Sequence, residues 1–209
     1  MSTVPREYKA IEQDEGKRKK GEYPWDYYLR RSQEITAKFK DPIILKMDAD
    51  NEACDLPIKG GIAGNLKGKI TVIEYDLGVL TKARINLPKL TYVNGDIRHL
   101  PFPDETFDFL IDCSTLDHIH PKDVLETLKG YSRVLKKNGS LLLFDWVTNN
   151  PKYAEEYKGY NTWSPTHQYY HPESEVDFFV SCYFDIKEKD HFWSVDDIHM
   201  NFYLGLKKG

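Results

Sequence analysis

Polar side chains that could do chemistry stand directly after two apolar runs in the middle of the chain. Asp96 ends the first run, and Asp112, Cys113 and Ser114 follow the second, which spans residues 107–111. If both runs are parallel strands, their ends meet at one edge of a sheet, and ligands of such sheets bind at that edge. We therefore expect the function to lie at the ends of these strands.

A second group of polar residues follows at once. His118 and His120 stand two apart beside Asp117, a spacing that lets both rings face one way on a strand or loop. The pattern fits a metal site or a general base, but no carboxylate or cysteine motif completes a zinc site. The sequence favours the interpretation that these histidines cap a helix and pack locally, and we expect no metal.

Composition limits the classes of function. At 209 residues with 40% hydrophobic content, the chain can bury one sizeable core, so we expect one domain. A net charge of -4 makes nucleic acid an unlikely ligand. Three scattered cysteines, Cys54, Cys113 and Cys182, argue against a disulfide framework and a thiolate zinc site. No run is apolar enough for a signal peptide or a membrane span, so we expect a soluble cytoplasmic protein without a membrane partner.

The elements that must position these residues alternate along the chain. Apolar and β-branched runs predict strands at 43–47, 70–75, 90–93, 107–111, 141–144, 184–188 and 201–206. Amphipathic spacing predicts helices over 23–40, after Asp76, over 121–137 with a stop at Asn138-Gly139, and over 173–181. Strands that alternate with helices predict an α/β fold, a doubly wound and mainly parallel sheet with helices on both faces.

Four segments, in this order, resemble successive motifs of the Rossmann-like class I S-adenosylmethionine-dependent methyltransferases. They are 74–84 (EYDLGVLTKAR), Gly95-Asp96 with 100–103 (LPFP), Phe107-Asp108 with the following strand and His118, and 133–139 (RVLKKNG). The resemblance spans about residues 43–144, and the closing elements from Glu173 also suit that fold. It implies a seven-stranded sheet and S-adenosylmethionine as cofactor.

The resemblance also implies roles for individual residues. Glu74 would accept hydrogen bonds from the ribose hydroxyls, since a carboxylate can accept from both groups of a diol. Asp96 would accept from the adenine amino group, and the backbone N–H of Ile97 would serve a ring nitrogen. Asp112 and Cys113, with the serine after them, would line the pocket between cofactor and substrate.

Methyl transfer from a sulfonium needs in-line placement, and a base where the nucleophile carries a proton. The nearest candidates for that base are Asp112, Asp117 and His118. The sequence does not choose between them.

The first motif departs from the family. Its glycine-rich loop, which lets the cofactor approach the backbone, is replaced here by Asp48, Asp50 and Glu52. These residues add bulk and negative charge near the expected place of the cofactor's carboxylate, and Asp48 and Asp50 are the ones expected to face the cofactor. The motif is therefore degenerate, and cofactor binding is in doubt.

Three alternatives explain the acidic loop. Gly60, Gly61 and Gly64 could form the cofactor-facing turn instead, with the acidic residues as an insertion. The carboxylates could chelate calcium, but Ala53 and Lys59 stand where a calcium loop needs Gly and Glu. A solvated acidic loop is the third alternative, and the sequence favours it over calcium.

The domain layout follows from these assignments. Residues 1–22 are charged and predict a disordered tail. Residues 23–209 predict one methyltransferase-like domain, divided into an N-terminal helix (23–40), a cofactor-binding core (43–147) and a substrate-side cap with closing strands (150–209). In the helix, one apolar stripe is formed by Trp25, Tyr28, Leu29, Ile35 and Phe39.

Two functions remain open. The first is a methyltransferase acting on a small molecule or a protein side chain. The second is a methyltransferase-like pseudoenzyme that has lost the cofactor and serves as a binding or scaffold protein. The aromatic-rich segment 153–170 suits either a substrate wall or a contact with a protein partner.

Overall fold

The computed structural model describes residues 22–54, 58–150, 156–157, 168–195 and 198–209. The predicted tail, apart from Glu22, and most of the aromatic segment 153–170 lie outside the described residues. Within the described residues no helix is long and apolar enough to cross a membrane.

One sheet forms the centre of the fold. Its strands are β1 (Ile43–Met47), β2 (Lys69–Glu74), β3 (Thr91–Asn94), β4 (Phe107–Cys113), β5 (Leu135–Thr148), β8 (His171–Pro172), β9 (Phe184–Val195) and β10 (Ile198–Lys207). They lie in the order β3-β2-β1-β4-β5-β10-β9, with the short β8 beside β5. Two further strands, β6 (Glu156–Tyr157) and β7 (Gln168–Tyr169), pair with each other in a second, two-stranded sheet. The pairs from β3 to β5 are parallel, and β10 is antiparallel to both of its neighbours. The predicted α/β, mainly parallel, doubly wound sheet is confirmed.

Helices cover the two faces of the sheet. They are α1 (Pro24–Thr36), α2 (Asp50–Cys54), α3 (Leu77–Asn86), α4 (Pro121–Val134) and α5 (Glu173–Tyr183). The core under α1 contains the buried aromatics Tyr27, Tyr28, Phe109, Phe144 and Phe202. The core under α4 and α5 contains Leu110, Leu128, Tyr131, Leu143 and Tyr203. Because side chains alternate along a strand, successive buried residues of a central strand point to one core and then to the other.

Helix α1 differs from its predicted apolar stripe. Tyr27 and Tyr28 are both fully buried, and the Tyr28 hydroxyl lies 2.9 Å from the carbonyl oxygens of both Asp112 and Leu142. Phe39 lies beyond the end of the helix and is 49% exposed. The helix therefore attaches to β4 and β5 through Tyr28 and to β9 through Tyr27, whose hydroxyl donates to Asp190, rather than through a stripe that continues to residue 39.

Helix α4 ends at Val134, three residues earlier than predicted, and β5 begins at once at Leu135. Asn138 has the left-handed backbone expected of it, with φ of 62°, but it lies beyond the helix end. Lys136 does not extend the helix, because its amine donates to the Asp108 carboxylate on β4 at 2.9 Å. The predicted stop at Asn138-Gly139 is therefore wrong as the helix terminus.

Candidate active site

Glu74, at the carboxyl end of β2, links the ends of the first two strands. Its Oε2 accepts a hydrogen bond from the Ala49 N–H at 2.8 Å, and its Oε1 accepts from the Asp76 N–H at 2.7 Å. Burial raises the pKa of Glu74, and the nearby Asp48 carboxylate raises it further. Each oxygen retains a lone pair beyond these bonds. The carboxylate therefore joins the loop after β1 to the start of α3.

Asp96 is engaged by its own neighbour. Its carboxylate accepts from the Arg98 N–H at 2.9 Å, and the Arg98 guanidinium lies 2.6 Å from its Oδ2. Hydrogen bonds from Arg98 hold the pKa of Asp96 below its usual value. Ile97, the next residue, is buried and starts a short 3-10 helix that Asp96 caps. A nucleobase can hydrogen-bond to Asp96 only if the half-exposed Arg98 side chain gives up one of its contacts with the carboxylate.

The backbone of the loop after β1 keeps a feature that glycine usually provides. Asp48 has φ of 53°, a left-handed conformation that Asp tolerates because its side chain can bond locally. Its Oδ1 accepts from the Asp50 N–H at 3.0 Å, which closes a turn. Its Oδ2 accepts from the Thr115 hydroxyl in the loop after β4. One side chain thus ties together the loops that follow β1 and β4.

Lys46 is a charged residue of β1 that the sequence reasoning missed. Its side chain is fully buried, and its Nζ lies 3.0 Å from both the carbonyl oxygen and Oδ1 of Asp48 and 3.1 Å from Glu52 Oε2. Burial alone would lower the pKa of Lys46, but Asp48 and Glu52 outweigh it and raise the pKa above its ordinary value. Lys46 therefore stays charged between two of the acids that replace glycines.

Glu52 is as buried as Lys46, so the acidic loop is not simply solvated. Its Oε1 accepts from the Ala63 N–H at 2.8 Å. Gly61, with φ of 59°, lies so close that a Cβ there would stand 2.7 Å from the same oxygen, and a Cβ at Gly64 would meet Leu87 at 2.9 Å. The turn proposed as an alternative cofactor loop faces Glu52 and Leu87, and its glycines are needed for that packing.

Asp112 does not point where the resemblance implies. It is fully buried, its Oδ2 accepts from the Tyr131 hydroxyl on α4 at 2.7 Å, and its Oδ1 accepts from the Thr115 N–H at 3.0 Å. Burial raises its pKa to about 7, although the Tyr131 hydrogen bond opposes the change. Strand alternation directs Asp112 toward α4 and its neighbour Cys113 toward the opposite core, so only one of the two can face a given side.

The other candidates after β4 divide between the two faces. Cys113 is buried, and burial raises its pKa well above the usual value. Ser114 has a left-handed backbone with φ of 60°, and its hydroxyl lies 3.2 Å from Asp117 Oδ1. Asp117 is fully buried, while His118 is half-buried in a short 3-10 helix. His120 caps α4 by accepting from the Lys122 N–H at 3.2 Å, which agrees with the capping interpretation.

The structure thus brings Glu74, Asp48 and Cys113 to one region around Lys46. Asp96 and Ile97 lie at the neighbouring end of β3, and Asp112 and Asp117 lie on the α4 side. The only sequence signal for Lys46 was a charge within the apolar run IILKM.

Exposed aromatic and apolar side chains next to Glu74, at Tyr75 (75% exposed) and Leu77 (64%), form a surface on which a flat ring can pack.

Comparison with known proteins supports the motif assignment. Residues 59–143 match the family model described as "Methyltransferase domain". An uncharacterized methyltransferase of Synechocystis is 35% identical over 77 residues, which are 36% of this chain and 36% of that protein. A ubiquinone/menaquinone biosynthesis C-methyltransferase of Teredinibacter turnerae is 30% identical over 125 residues, which are 52% of this chain and 48% of that protein. The chain thus spans about half or less of the length of these curated relatives.

A solved structure extends the similarity to almost the whole fold. A S-adenosylmethionine-dependent methyltransferase from Methanosarcina mazei superposes with a TM-score of 0.65 at 16% identity, covering 83% of this chain and 96% of that one. At this identity the superposition establishes the fold. Together with the matched domain, it confirms the resemblance predicted from the four ordered motifs.

Proposed function

We propose that this chain, which has the fold of the class I methyltransferases and matches a methyltransferase domain over residues 59–143, transfers a methyl group from S-adenosylmethionine to an acceptor near the ends of β4 and β5. The observation that carries the proposal is the position of Glu74. Its carboxylate reaches from the end of β2 to the loop after β1, 2.8 Å from the Ala49 nitrogen. A diol placed there meets two carboxylate oxygens and the backbone of the first loop at once.

The residues around this carboxylate suit the parts of the cofactor. When bound, S-adenosylmethionine supplies an electrophilic methyl group on a sulfonium. Glu74 holds the ribose, and Tyr75 and Leu77 offer apolar surface beside it. Asp96 accepts a hydrogen bond from the adenine amino group once Arg98 releases one of its hydrogen bonds to that carboxylate. The negative side chains of the first loop favour the ammonium end of the methionine moiety over its carboxylate.

The acceptor side is supported by the residues after β4. Asp112, with its pKa raised to about 7 by burial, can change protonation near neutral pH, and a carboxyl of that kind is suited to act as a general base. Because Asp112 is fully buried, it would act through the Tyr131 hydroxyl, which donates to its Oδ2, while the Thr115 N–H holds its Oδ1 in place. Asp117, beside the Ser114 hydroxyl, is the second candidate for the general base.

The test is calorimetric titration with S-adenosylmethionine and S-adenosylhomocysteine. We expect both to bind the parent chain, and Glu74→Gln to weaken binding by about tenfold or more, because hydrogen bonds to a charged group contribute roughly 1.5–3 kcal/mol. Glu126→Gln is the matched control, since the Glu126 side chain is 68% exposed and pairs only with Lys129 among the contacts described. Equal affinity of the Glu74 variant and the parent would contradict the assigned role.

A second candidate function is favoured by one observation, the ion network of Lys46 with Asp48 and Glu52. It fills the positions of the glycine loop with side chains that bind each other. Under this hypothesis the chain is a pseudoenzyme, that is, a binding or scaffold protein that holds no cofactor. The segment 153–170 would then contact a protein partner.

The second candidate has its own test. A variant with glycine at Asp48, Asp50 and Glu52 also needs Lys46→Leu, because the ammonium would otherwise lose both of its carboxylate partners. If only this variant binds S-adenosylhomocysteine, the side chains block the site and the parent is not a transferase. Binding by the parent removes the argument for the second candidate.

A further inference from the structure

Both oxygens of the Asp96 carboxylate are occupied by one residue, Arg98. Oδ1 accepts from the Arg98 backbone N–H at 2.9 Å and from its Nε at 3.0 Å. Oδ2 accepts from the same Nε at 3.0 Å and from Nη2 at 2.6 Å. A carboxylate offers about four lone-pair sites in all. Each oxygen therefore already accepts two contacts from Arg98, and the amino group of a base has to compete with the guanidinium for a place on Asp96.

A second carboxylate lies within reach of the same guanidinium. Asp123 is in the first turn of α4, and α4 packs against the short 3-10 helix Ile97–His99 that carries Arg98. Asp123 Oδ2 lies 4.0 Å from Arg98 Nη1, the nitrogen on the side of the guanidinium that faces away from Asp96. The hydrogen bond with Asp96 raises the pKa of Arg98 most, and the Asp123 charge raises it as well. A small shift of the guanidinium therefore exchanges one carboxylate partner for the other.

The exchange does not require the core to unpack, because all three side chains reach solvent. Asp96 is 25% exposed, Arg98 46% and Asp123 34%. The pair of Lys46 and Glu52, in contrast, is fully buried. Exposed ion pairs contribute little net free energy, since water solvates each charge when its partner leaves. Moving Arg98 is therefore much less costly than separating the buried pair.

We propose that Arg98 gates the base subsite: it occupies Asp96 in the free chain and moves to Asp123 when a base with an exocyclic amino group binds. The inference rests on the proposed function, because that base is the adenine of S-adenosylmethionine. Asp123 is then a positioning residue, since it acts on the cofactor only through Arg98.

Arg98 also determines which bases the subsite accepts. A guanidinium has donors and no acceptor, whereas an ionised carboxylate has acceptors and no donor. A base with a carbonyl oxygen at the position of the amino group can accept from Arg98 where it now lies. A base with an amino group needs the Asp96 carboxylate without the guanidinium. Arg98 therefore lowers the preference of the subsite for adenine, and its removal should raise that preference.

The probes are S-adenosylhomocysteine and S-inosylhomocysteine, which has a carbonyl oxygen in place of the amino group and the same net charge. Both are titrated calorimetrically at low ionic strength, where exposed charges are screened least. Arg98→Met removes the guanidinium and keeps a long side chain. We expect it to tighten S-adenosylhomocysteine binding by about two- to fivefold, the range for an exposed charge pair. It should not tighten the binding of S-inosylhomocysteine.

Asp123→Asn tests the second position of the guanidinium. With Arg98 present, we expect it to weaken S-adenosylhomocysteine binding by about two- to fivefold. In the Arg98→Met background it should have no effect, because Asp123 then has no guanidinium to receive. Lys122→Met in the same turn of α4 and Glu126→Gln one turn later are the controls, since both residues are exposed. Both should bind the two probes as the parent does.

The movement itself is observable without a methyl acceptor. The Nε–H signal of Arg98 is recorded by nitrogen-15 NMR and assigned by its absence in Arg98→Met. In the free chain this N–H lies between the two Asp96 oxygens, at 3.0 Å from each. Saturating S-adenosylhomocysteine should shift the signal, because the N–H leaves Asp96.

The inference and the proposed function fail in different ways. The inference is overturned, and the proposed function stands, if S-adenosylhomocysteine binds the parent as tightly as or more tightly than it binds Arg98→Met. An equal effect of Asp123→Asn with and without Arg98, or an Nε–H signal that the ligand does not move, also overturns the inference alone. If neither the parent nor Arg98→Met binds S-adenosylhomocysteine, the proposed function is refuted and the inference with it. Binding by Arg98→Met alone supports a gate that is closed in the parent.

Discussion

The buried amine of Lys46 permits a sharp test of how the acidic loop is held. In Lys46→Met the side chain keeps most of its volume and apolar stem but loses the ammonium. Glu52 is fully buried and lies 3.1 Å from that ammonium. In the variant it remains charged in the interior, and among the described residues the Ala63 N–H at 2.8 Å is then the hydrogen-bond donor left to its carboxylate. Asp48 is less affected, because 19% of its side chain is exposed and Thr115 still bonds to it.

The expected loss of stability follows from the uncompensated Glu52. Removing one partner of a buried ion pair costs about 3–5 kcal/mol, because the other charge is left in a medium of low polarity. For a domain of this size, each kcal/mol lowers the melting midpoint by roughly 2–4 °C. We therefore expect Lys46→Met to melt about 6–20 °C below the parent.

The assay is urea unfolding followed by tryptophan fluorescence, arranged as a double-mutant cycle. The single variants are Lys46→Met and Glu52→Gln, and the double variant carries both. Because the double variant leaves no unpaired charge at Glu52, we expect it to recover most of the stability that Lys46→Met loses. Lys82→Met on α3 is the matched control, since Lys82 is exposed, and we expect a change within about 0.5 kcal/mol.

Two results would refute the reasoning. A loss below about 1 kcal/mol in Lys46→Met would mean that water or another group already solvates Glu52. Additive losses in the double variant would mean that Lys46 and Glu52 do not interact. In either case the loop is not held by the ion pair.

Three further variants test other parts of the fold. Because burial raises the pKa of Asp112 from 3.8 to about 7, its proton stabilises the fold below pH ~4 and this contribution is lost as pH rises through ~7. Asp112→Asn should therefore flatten the decline in urea midpoint between about pH 4 and 7 that the parent shows. Gly130→Ala in α4 meets no atom within 4 Å and should stabilise by about 0.5–1 kcal/mol in calorimetry. Gly61→Ala, with φ of 59° and Glu52 at 2.7 Å, should instead lower the melting midpoint, and an increase there would contradict the packing described.

The order of strands and helices could be predicted because each element carries its own periodic pattern and each strand ends in a polar residue. Asp76 was recognised as a helix cap and accepts from the Gly78 and Val79 N–H groups. The end of α4 was missed by three residues, because the Lys136 side chain pairs with Asp108 across the sheet, a contact that local sequence does not show. Boundaries of this kind depend on tertiary partners.

The candidate site was predictable only in part. The sequence placed Glu74 and Asp48 at neighbouring strand ends, where the structure also has them. It did not indicate which face Asp112 takes, since a shift of one residue in a strand reverses the side, and it missed Lys46 because a lysine within a buried strand is rare without a partner. The partner, Glu52, was visible in the sequence, but it was interpreted as a lost glycine.

The contact between Thr115 and Asp48 decides how costly cofactor binding is. If the methionine end needs only the place of Asp48 Oδ2, the hydrogen bond from Thr115 breaks, while Oδ1 keeps its contacts with Lys46 and the Asp50 N–H. A bond to a charged group contributes about 1.5 kcal/mol or somewhat more, which is roughly tenfold in affinity. If Lys46 and Glu52 must separate, the cost is about 3–5 kcal/mol, or roughly a hundredfold to a few thousandfold. Thr115→Val removes the first contact and preserves the second. It should therefore tighten S-adenosylhomocysteine binding by several-fold if Asp48 alone has to move, and calorimetry that shows unchanged affinity would mean that the ion pair, not the Thr115 bond, controls access to the site.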